Sequence, residues 1–181
     1  MITDIVIVVA AALLIGVYVS WRAGRIDRLH ARVDMARAAL DVTLLRRGSV
    51  ALELATSGLL DPATSLLLAG AVHGARSGDL PRDLAESDLT RALRAAFSQP
   101  GFRSSLSGKD GADELLADVE AASHQVYLAR KFYNDVVAAT RDARRRPLAR
   151  VLRLSGHAKA PEFFEIDDSL IAEKSSASLG R

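Results

Sequence analysis

Hydrophobic residues recur at every third or fourth position over much of the chain, with charged or small residues between them. This spacing places the apolar side chains on one face of an α-helix. The first such row predicts a long helix that begins near residue 26, continues past Gly48 and ends near Gly58, with Gly24 loosening its join to the preceding segment. The row consists of Ile26, Leu29, Val33, Ala36 and Leu40, and is extended by Leu44 and Leu45.

A second row, with heptad spacing over four repeats, predicts the longest helix of the chain, at about residues 112–146. It follows Asp110-Gly111, and Pro147 ends or kinks it because proline cannot continue the backbone ladder. The row consists of Leu115, Val119, Ala122, Val126, Ala129, Tyr133, Val136, Thr140 and Ala143.

Shorter elements lie between and after these rows. Asp61 and Pro62 form a helix-start signal, so a helix is predicted over about 62–77, ending near Gly78. The remaining predictions are a helix at about 82–98, a loop at 103–111, a short helix at 148–156, an apolar and acidic segment at 160–168, and a disordered end.

Residues 2–21 form a 20-residue stretch in which Asp4 is the only charged side chain. As a helix it extends about 30 Å, the thickness of a bilayer core, with Trp21 and Arg22 suited to anchor one interface. A cleaved signal peptide lacks support because no basic residue precedes the run, and a small domain rarely buries a helix that is apolar all round. The favoured interpretation is a single transmembrane helix.

The orientation of this helix follows from the basic residues around it. Arg22, Arg25, Arg28 and Arg32 all lie after the apolar stretch, and none precedes it. Because positive charge stays on the cytoplasmic side, the N-terminus is predicted outside and the remaining chain inside the cell. The same arginines would also suit the solvated face of the next helix.

The predicted fold class is all-α: one N-terminal transmembrane helix, then an antiparallel, coiled-coil-like bundle of about four helices, two of them long. The expected divisions are 1–22, 23–155 and 156–181. Composition agrees, since 49% of residues are hydrophobic but only 5% are aromatic, with few strand formers. The absence of cysteine excludes disulfides, thiolate metal sites and a cysteine nucleophile. The net charge of +2 and the lack of interleaved basic and aromatic residues predict no nucleic-acid binding.

No catalytic, cofactor-binding or metal-binding residues are predicted. The four histidines are scattered, and the carboxylates Glu114, Asp118 and Glu120 lack a Glu-x-x-His partner motif. The candidate positions are instead structural ones. The paired Arg46 and Arg47 are candidates to bind acidic lipid headgroups, an acidic partner, or Asp or Glu of another helix. Because Arg47 lies near the seam, an internal ion pair is the simpler interpretation for it. Tyr133 is expected to bury its ring and to hydrogen-bond its hydroxyl, and Phe132 to pack against a flanking helix. Asn134 is expected to form a hydrogen bond between helices, with Arg46 or Arg47 as its partner.

A cluster of six arginines lies between residues 141 and 153. A solvated helix end is the simpler interpretation. The alternative is contact with anionic lipid or a partner through Arg144, Arg145 and Arg146, because basic clusters are attracted to the cytoplasmic leaflet by roughly 1 kcal/mol per residue.

The segments "ALDVTLLRRGSV", "ARKFYNDVV" and "PEFFEIDD", in this order after an N-terminal apolar run, resemble the LemA family of bacterial membrane proteins. The resemblance covers about residues 2–168 and implies an outward N-terminus, one span and a cytoplasmic bundle of long antiparallel helices. It implies Arg46, Arg47, Tyr133 and Asn134 as family-like positions, and no enzyme activity. The chain departs from the family pattern after the paired arginines and after Asn134, where Thr140 and Arg141 replace a second Tyr-Asn pair.

The leading hypothesis is therefore a non-enzymatic, single-pass protein of the cell membrane that presents a cytoplasmic bundle to protein partners. Two alternatives stay open at this point: a metal-binding or enzymatic bundle, and a membrane-associated structural oligomer of identical chains.

Overall fold

The computed structural model describes residues 1–145 and 159–167, and leaves undescribed the side chains of residues 11, 15, 19, 22, 23 and 25–27. All regular secondary structure in the described residues is α-helical, which confirms the all-α class. The described part of the chain forms five helices: α1 (Ile2–Thr56), α2 (Pro62–Ser77), α3 (Arg82–Phe97), α4 (Phe102–Leu106) and α5 (Ala112–Arg145).

The first helix is longer than the sequence predicted. α1 contains 55 residues and α5 contains 34, so the prediction that the later helix is the longest is wrong. Gly24 does not interrupt α1. A single glycine costs roughly 1 kcal/mol against alanine, and a long helix absorbs this because propagation is favourable once the helix has nucleated.

The predicted start and end of α2 are confirmed. Asp61 accepts hydrogen bonds on Oδ1 from the backbone amides of Ala63 and Thr64, both at 3.1 Å, and Pro62 begins α2. Gly78 ends α2 with a φ of 75°, a left-handed conformation that favours glycine. The predicted loop at 103–111 is partly wrong, because its first residues belong to α4.

The chain forms two compact units, and the first comprises Met1–Arg37 and Phe132–Phe163. In this unit the Arg37 guanidinium lies 5.6 Å from the centre of the Tyr133 ring. Nearer the N-terminus of α1, the Nε2 atom of His30 lies 3.1 Å from Nη1 of Arg144. The residue numbers decrease along α1 as they increase along α5, so the two helices run antiparallel here, as predicted.

The second unit comprises Ala38–Lys131 and Phe164–Arg181 and contains a core to which α1 to α5 all contribute. Burial of each large apolar side chain stabilises such a core by roughly 1.5–3 kcal/mol. The predicted seams are largely confirmed, although Leu45 is 57% exposed and Leu116 is buried more deeply than Leu115. Members of the core include Leu54, Leu68, Leu89, Leu93, Phe102, Leu106 and Val119.

Residues 159–167 have neither helix nor strand. The predicted short helix at 148–156, the stop at Pro147 and the disordered end at 173–181 lie outside the described residues. Across the side chains that the structure describes, no helix is both long enough and apolar enough to cross a membrane.

Candidate functional site

Among the described residues of the second unit, Arg47 is the most deeply buried charged residue, with a side chain that is 2% exposed. Its Nη2 atom lies 2.6 Å from Oε2 of Glu86 and also donates to the Glu86 carbonyl oxygen at 3.1 Å. Its Nη1 atom donates to Oγ1 of Thr90 at 3.0 Å. The ion pair expected at Arg47 is thus confirmed, and its partner is one that the sequence did not single out.

The partners of Arg47 meet it because of their spacing on α3. Glu86 and Thr90 are four residues apart and share one face of that helix, and the Thr90 hydroxyl donates to the Glu86 carbonyl oxygen at 3.1 Å. Arg82 pairs with Asp41 at 2.9 Å on the same two helices. The residue numbers of both pairs rise together, so α1 and α3 run parallel here, and the buried pair fixes their register.

Arg46 has a different environment from its neighbour. It is exposed on α1, on the side that also carries Val42 and Leu45, which are 65% and 57% exposed. These positions are spaced i, i+3 and i+4 and so lie on one face of the helix. We call Val42, Leu45 and Arg46 the α1 outer face; it is an apolar surface with one positive charge.

Tyr133 in the first unit has the environment that was predicted. Its side chain is 4% exposed, and its hydroxyl donates to the carbonyl oxygen of Glu162 at 2.8 Å. The adjacent Asn134 is half-buried, whereas Phe132 is 56% exposed, so the expectation that Phe132 packs against a flanking helix is wrong. Tyr133 therefore holds the later chain segment against α5.

Two further contacts bind the segment 159–163 to α5 in the first unit. Nη1 of Arg144 donates to the carbonyl oxygen of Lys159 at 3.1 Å. The guanidinium of Arg141 lies 5.0 Å from the centre of the Phe163 ring, a distance at which a cation is attracted to the ring face. Together with Tyr133, these arginines hold a segment that has no secondary structure of its own.

In the second unit, residues 164–167 are anchored separately. Phe164 and Ile166 are 4% and 8% exposed. The Asp167 carboxylate pairs with Arg94 at 2.5 Å, and the Asp167 amide donates to the Ser87 hydroxyl at 3.1 Å. The sequence analysis did not predict these contacts. Their only sign in the sequence is that the apolar residues Phe164 and Ile166 alternate with a polar one.

The end of α5 carries part of the predicted arginine cluster. Nη1 of Arg144 is a donor in every state of the guanidinium, so Nε2 of His30 is the acceptor in their hydrogen bond. Arg145 is exposed. Arg146, the third residue predicted for this contact, lies outside the described residues.

The start of α1 presents a long apolar surface. Trp21 is 58% exposed, and the side chain of Arg22 lies outside the described set. Surfaces of this kind larger than a few hundred Å² mark contacts with membranes or proteins. Eight aliphatic side chains before Tyr18 are 53–71% exposed: Ile5, Val6, Ile7, Val8, Val9, Leu13, Leu14 and Val17.

The described residues contain no group of three or more His, Asp or Glu side chains placed to hold a metal ion. Among the described groups, Asp61 is a carboxyl whose pKa is lowered from its usual value, chiefly because the Thr64 side chain hydrogen-bonds to it, with further bonds from backbone amides. This is a helix cap rather than a reaction centre. No family model, curated protein or solved structure matches the chain.

Proposed function

We propose that the protein is a non-enzymatic, single-pass protein of the cell membrane, similar to the LemA family, whose helical bundle contacts protein partners in the cytoplasm. The observation that carries the proposal is the exposed apolar start of α1. Residues 2–21 are apolar apart from Thr3, Asp4 and Ser20 and the polar ends of Tyr18 and Trp21. Ala11, Ile15 and Val19, whose side chains lie outside the described set, supply three of these apolar residues.

The energetics of this segment favour a membrane over water. Transfer of each exposed leucine, isoleucine or valine out of water contributes roughly 1.5–3 kcal/mol. The eight exposed aliphatic side chains from Ile5 to Val17 together correspond to more than about 10 kcal/mol, comparable to the whole stability of a typical domain. A helix also satisfies its own backbone hydrogen bonds, as the bilayer interior requires.

A contact with protein partners is supported by the α1 outer face. Val42 and Leu45 are more than half exposed although they belong to a helix whose opposite side forms the core of the second unit. Arg46 adds a positive charge beside them. An apolar patch with a charged edge is the usual composition of a protein interface.

The chain contains no cysteine, which allows a direct test of membrane insertion and orientation. Single cysteines are introduced at Thr3 and at the exposed Ser104, and intact cells are treated with a membrane-impermeant maleimide. In intact cells we expect labelling of the cysteine at position 3 and no labelling at position 104. The cysteine at position 104 should become labelled only after the membrane is permeabilised. The chain should also stay in membranes that are washed with alkaline carbonate. Release by carbonate, or labelling of both positions in intact cells, would contradict the proposal.

The partner contact is tested separately by photo-crosslinking in membranes. A photoreactive residue in place of Leu45 should form a discrete adduct, and one in place of Ser104 serves as the matched exposed control. An adduct twice the mass of the chain would instead favour the oligomer of identical chains. Equal, diffuse crosslinking from both positions would contradict a specific interface.

A further inference from the structure

The structure brings basic residues from two distant parts of the sequence to the same level of the first unit. Arg144 on α5 contacts His30 on α1, so the end of α5 lies beside the part of α1 that follows the apolar segment. We call the basic residues of this region the basic collar. It consists of Arg28 and Arg32 of α1, Arg141, Arg144 and Arg145 of α5, and Lys159.

The charge of the collar differs from that of the remaining chain. In residues 28–32, residues 141–145 and at position 159, six basic residues are accompanied by one acidic residue, Asp142. The collar therefore carries a formal charge of +5, six positive charges less one negative charge, whereas the whole chain carries +2. An excess of one sign of this kind dominates the local electrostatic field. The rest of the protein is net negative, and the excess positive charge is concentrated at one end of the first unit.

We propose that the basic collar binds the headgroups of anionic phospholipids, with α5 and Lys159 supplying part of the site. This inference rests on the proposed membrane insertion of residues 2–21, and it adds the lipid class that the protein selects. A straight α1 places His30 about 13 Å beyond Trp21 along the helix axis. Headgroups occupy about 5–7 Å beyond the hydrocarbon core. With Trp21 at the edge of that core, His30 lies about 6–8 Å outside the headgroup layer, which is within one Debye length at physiological salt.

The exposure of the collar residues suits this role. Arg28, Arg32, Arg145 and Lys159 are all exposed. Arg144 uses its guanidinium to hold both His30 and the Lys159 carbonyl oxygen, so it positions Lys159 beside the end of α5. Long basic side chains also extend toward the interface along apolar surface, which shortens the remaining distance.

The only tryptophan of the chain, Trp21, lies on α1 before the collar and is 58% exposed. Its fluorescence reports which lipids are its neighbours, because brominated acyl chains quench tryptophan only at short range. The full-length protein is reconstituted into bilayers that contain brominated phosphatidylcholine or brominated phosphatidylglycerol in graded fractions, and relative lipid affinities are obtained from the quenching.

The informative variant combines Arg145→Gln with Lys159→Gln, which leaves all α1 arginines in place. Its matched control combines Lys109→Gln with Lys131→Gln, two exposed residues of the second unit whose removal changes the net charge equally. We expect the wild-type chain and the control to prefer phosphatidylglycerol over phosphatidylcholine by roughly fivefold or more, which is the factor for a single basic residue near the membrane surface. The variant should lose at least about half of that preference.

Three other results would each have a clear meaning. Equal quenching by both lipids in the wild-type chain would overturn the inference that the collar binds anionic lipid. The proposed membrane insertion would not be affected by that result. An unchanged preference in the variant would overturn the contribution of α5. If neither brominated lipid quenches Trp21, the proposed membrane insertion is contradicted.

Discussion

The ion pair between Arg47 and Glu86 offers the sharpest test of the second unit. The two side chains are 2% and 5% exposed, so neither charge is solvated in the folded state. Replacement of Glu86 by leucine leaves the guanidinium with two neutral acceptors, the carbonyl oxygen of residue 86 and the Thr90 hydroxyl. A buried charge is then uncompensated, and the folded state loses stability.

The expected magnitude is large because the pair is almost fully buried. Removal of one member of a buried ion pair costs about 3–5 kcal/mol, a large part of the 5–15 kcal/mol that typically separates folded from unfolded chains. The double variant Arg47→Met with Glu86→Leu removes both charges and fills the space with apolar groups. We expect it to be about as stable as the wild type or more so, so the effects of the two single changes should be strongly non-additive.

The assay is urea unfolding of the full-length protein in detergent, followed by circular dichroism at 222 nm, for the wild type, both single variants and the double variant. The exposed pair of Arg91 and Asp88 serves as the control, with side chains 61% and 44% exposed. Removal of either member of that pair should cost no more than about 1 kcal/mol.

Two results would refute this reasoning. If Glu86→Leu is no more destabilising than a change in the exposed control pair, the pair is not buried as described. If the losses from the two single changes simply add in the double variant, the two charges do not interact across α1 and α3.

Leu54→Ala should lower the urea midpoint by an amount equivalent to about 2–5 kcal/mol, because Leu54 is fully buried in the core. Tyr133→Phe should cost about 1 kcal/mol through loss of its bond to the Glu162 carbonyl, and faster proteolysis of segment 159–163 would report it. The pKa of Asp61 is lowered in the folded state, chiefly by the hydrogen bond from the Thr64 side chain. Its negative charge therefore stabilises the fold fully above the unfolded-state pKa of about 3.9. This stabilisation is lost as the pH falls through the lower pKa of the folded state. The melting temperature of Asp61→Asn should therefore approach that of the wild type in acid, and a constant difference would contradict the cap's ionic character.

Much of the helical structure could be predicted from local patterns. The limits of α2 follow from Asp61, Pro62 and Gly78, whose conformational preferences act within a few residues of the helix ends. The burial of Val119 and Val126 follows from heptad spacing alone. The short α4 could not be predicted, because its polar sequence signals a loop and only the burial of Phe102 and Leu106 against distant residues stabilises it.

At the candidate sites too, some features follow from local sequence patterns and others depend on tertiary contacts. The pattern predicted that Arg47 would be internal and Tyr133 buried, since both lie near an apolar row. It contained nothing that selects Glu86 or Glu162 as their partners, because those residues are separated from them by 39 and 29 positions. The basic residues of α5 were visible as a cluster, but their place beside His30 depends on the antiparallel pairing of two long helices.

The amino-acid sequence by itself determined the elements of this protein: the apolar start, the amphipathic helices and their caps, since each depends on interactions within one or two helical turns. The tertiary structure alone decided that Arg47 is neutralised by α3, that residues 159–167 are held by side-chain anchors, and that basic residues of α1 and α5 form one collar. These features arise from contacts between residues far apart in the chain, and such contacts exist only once the helices have packed.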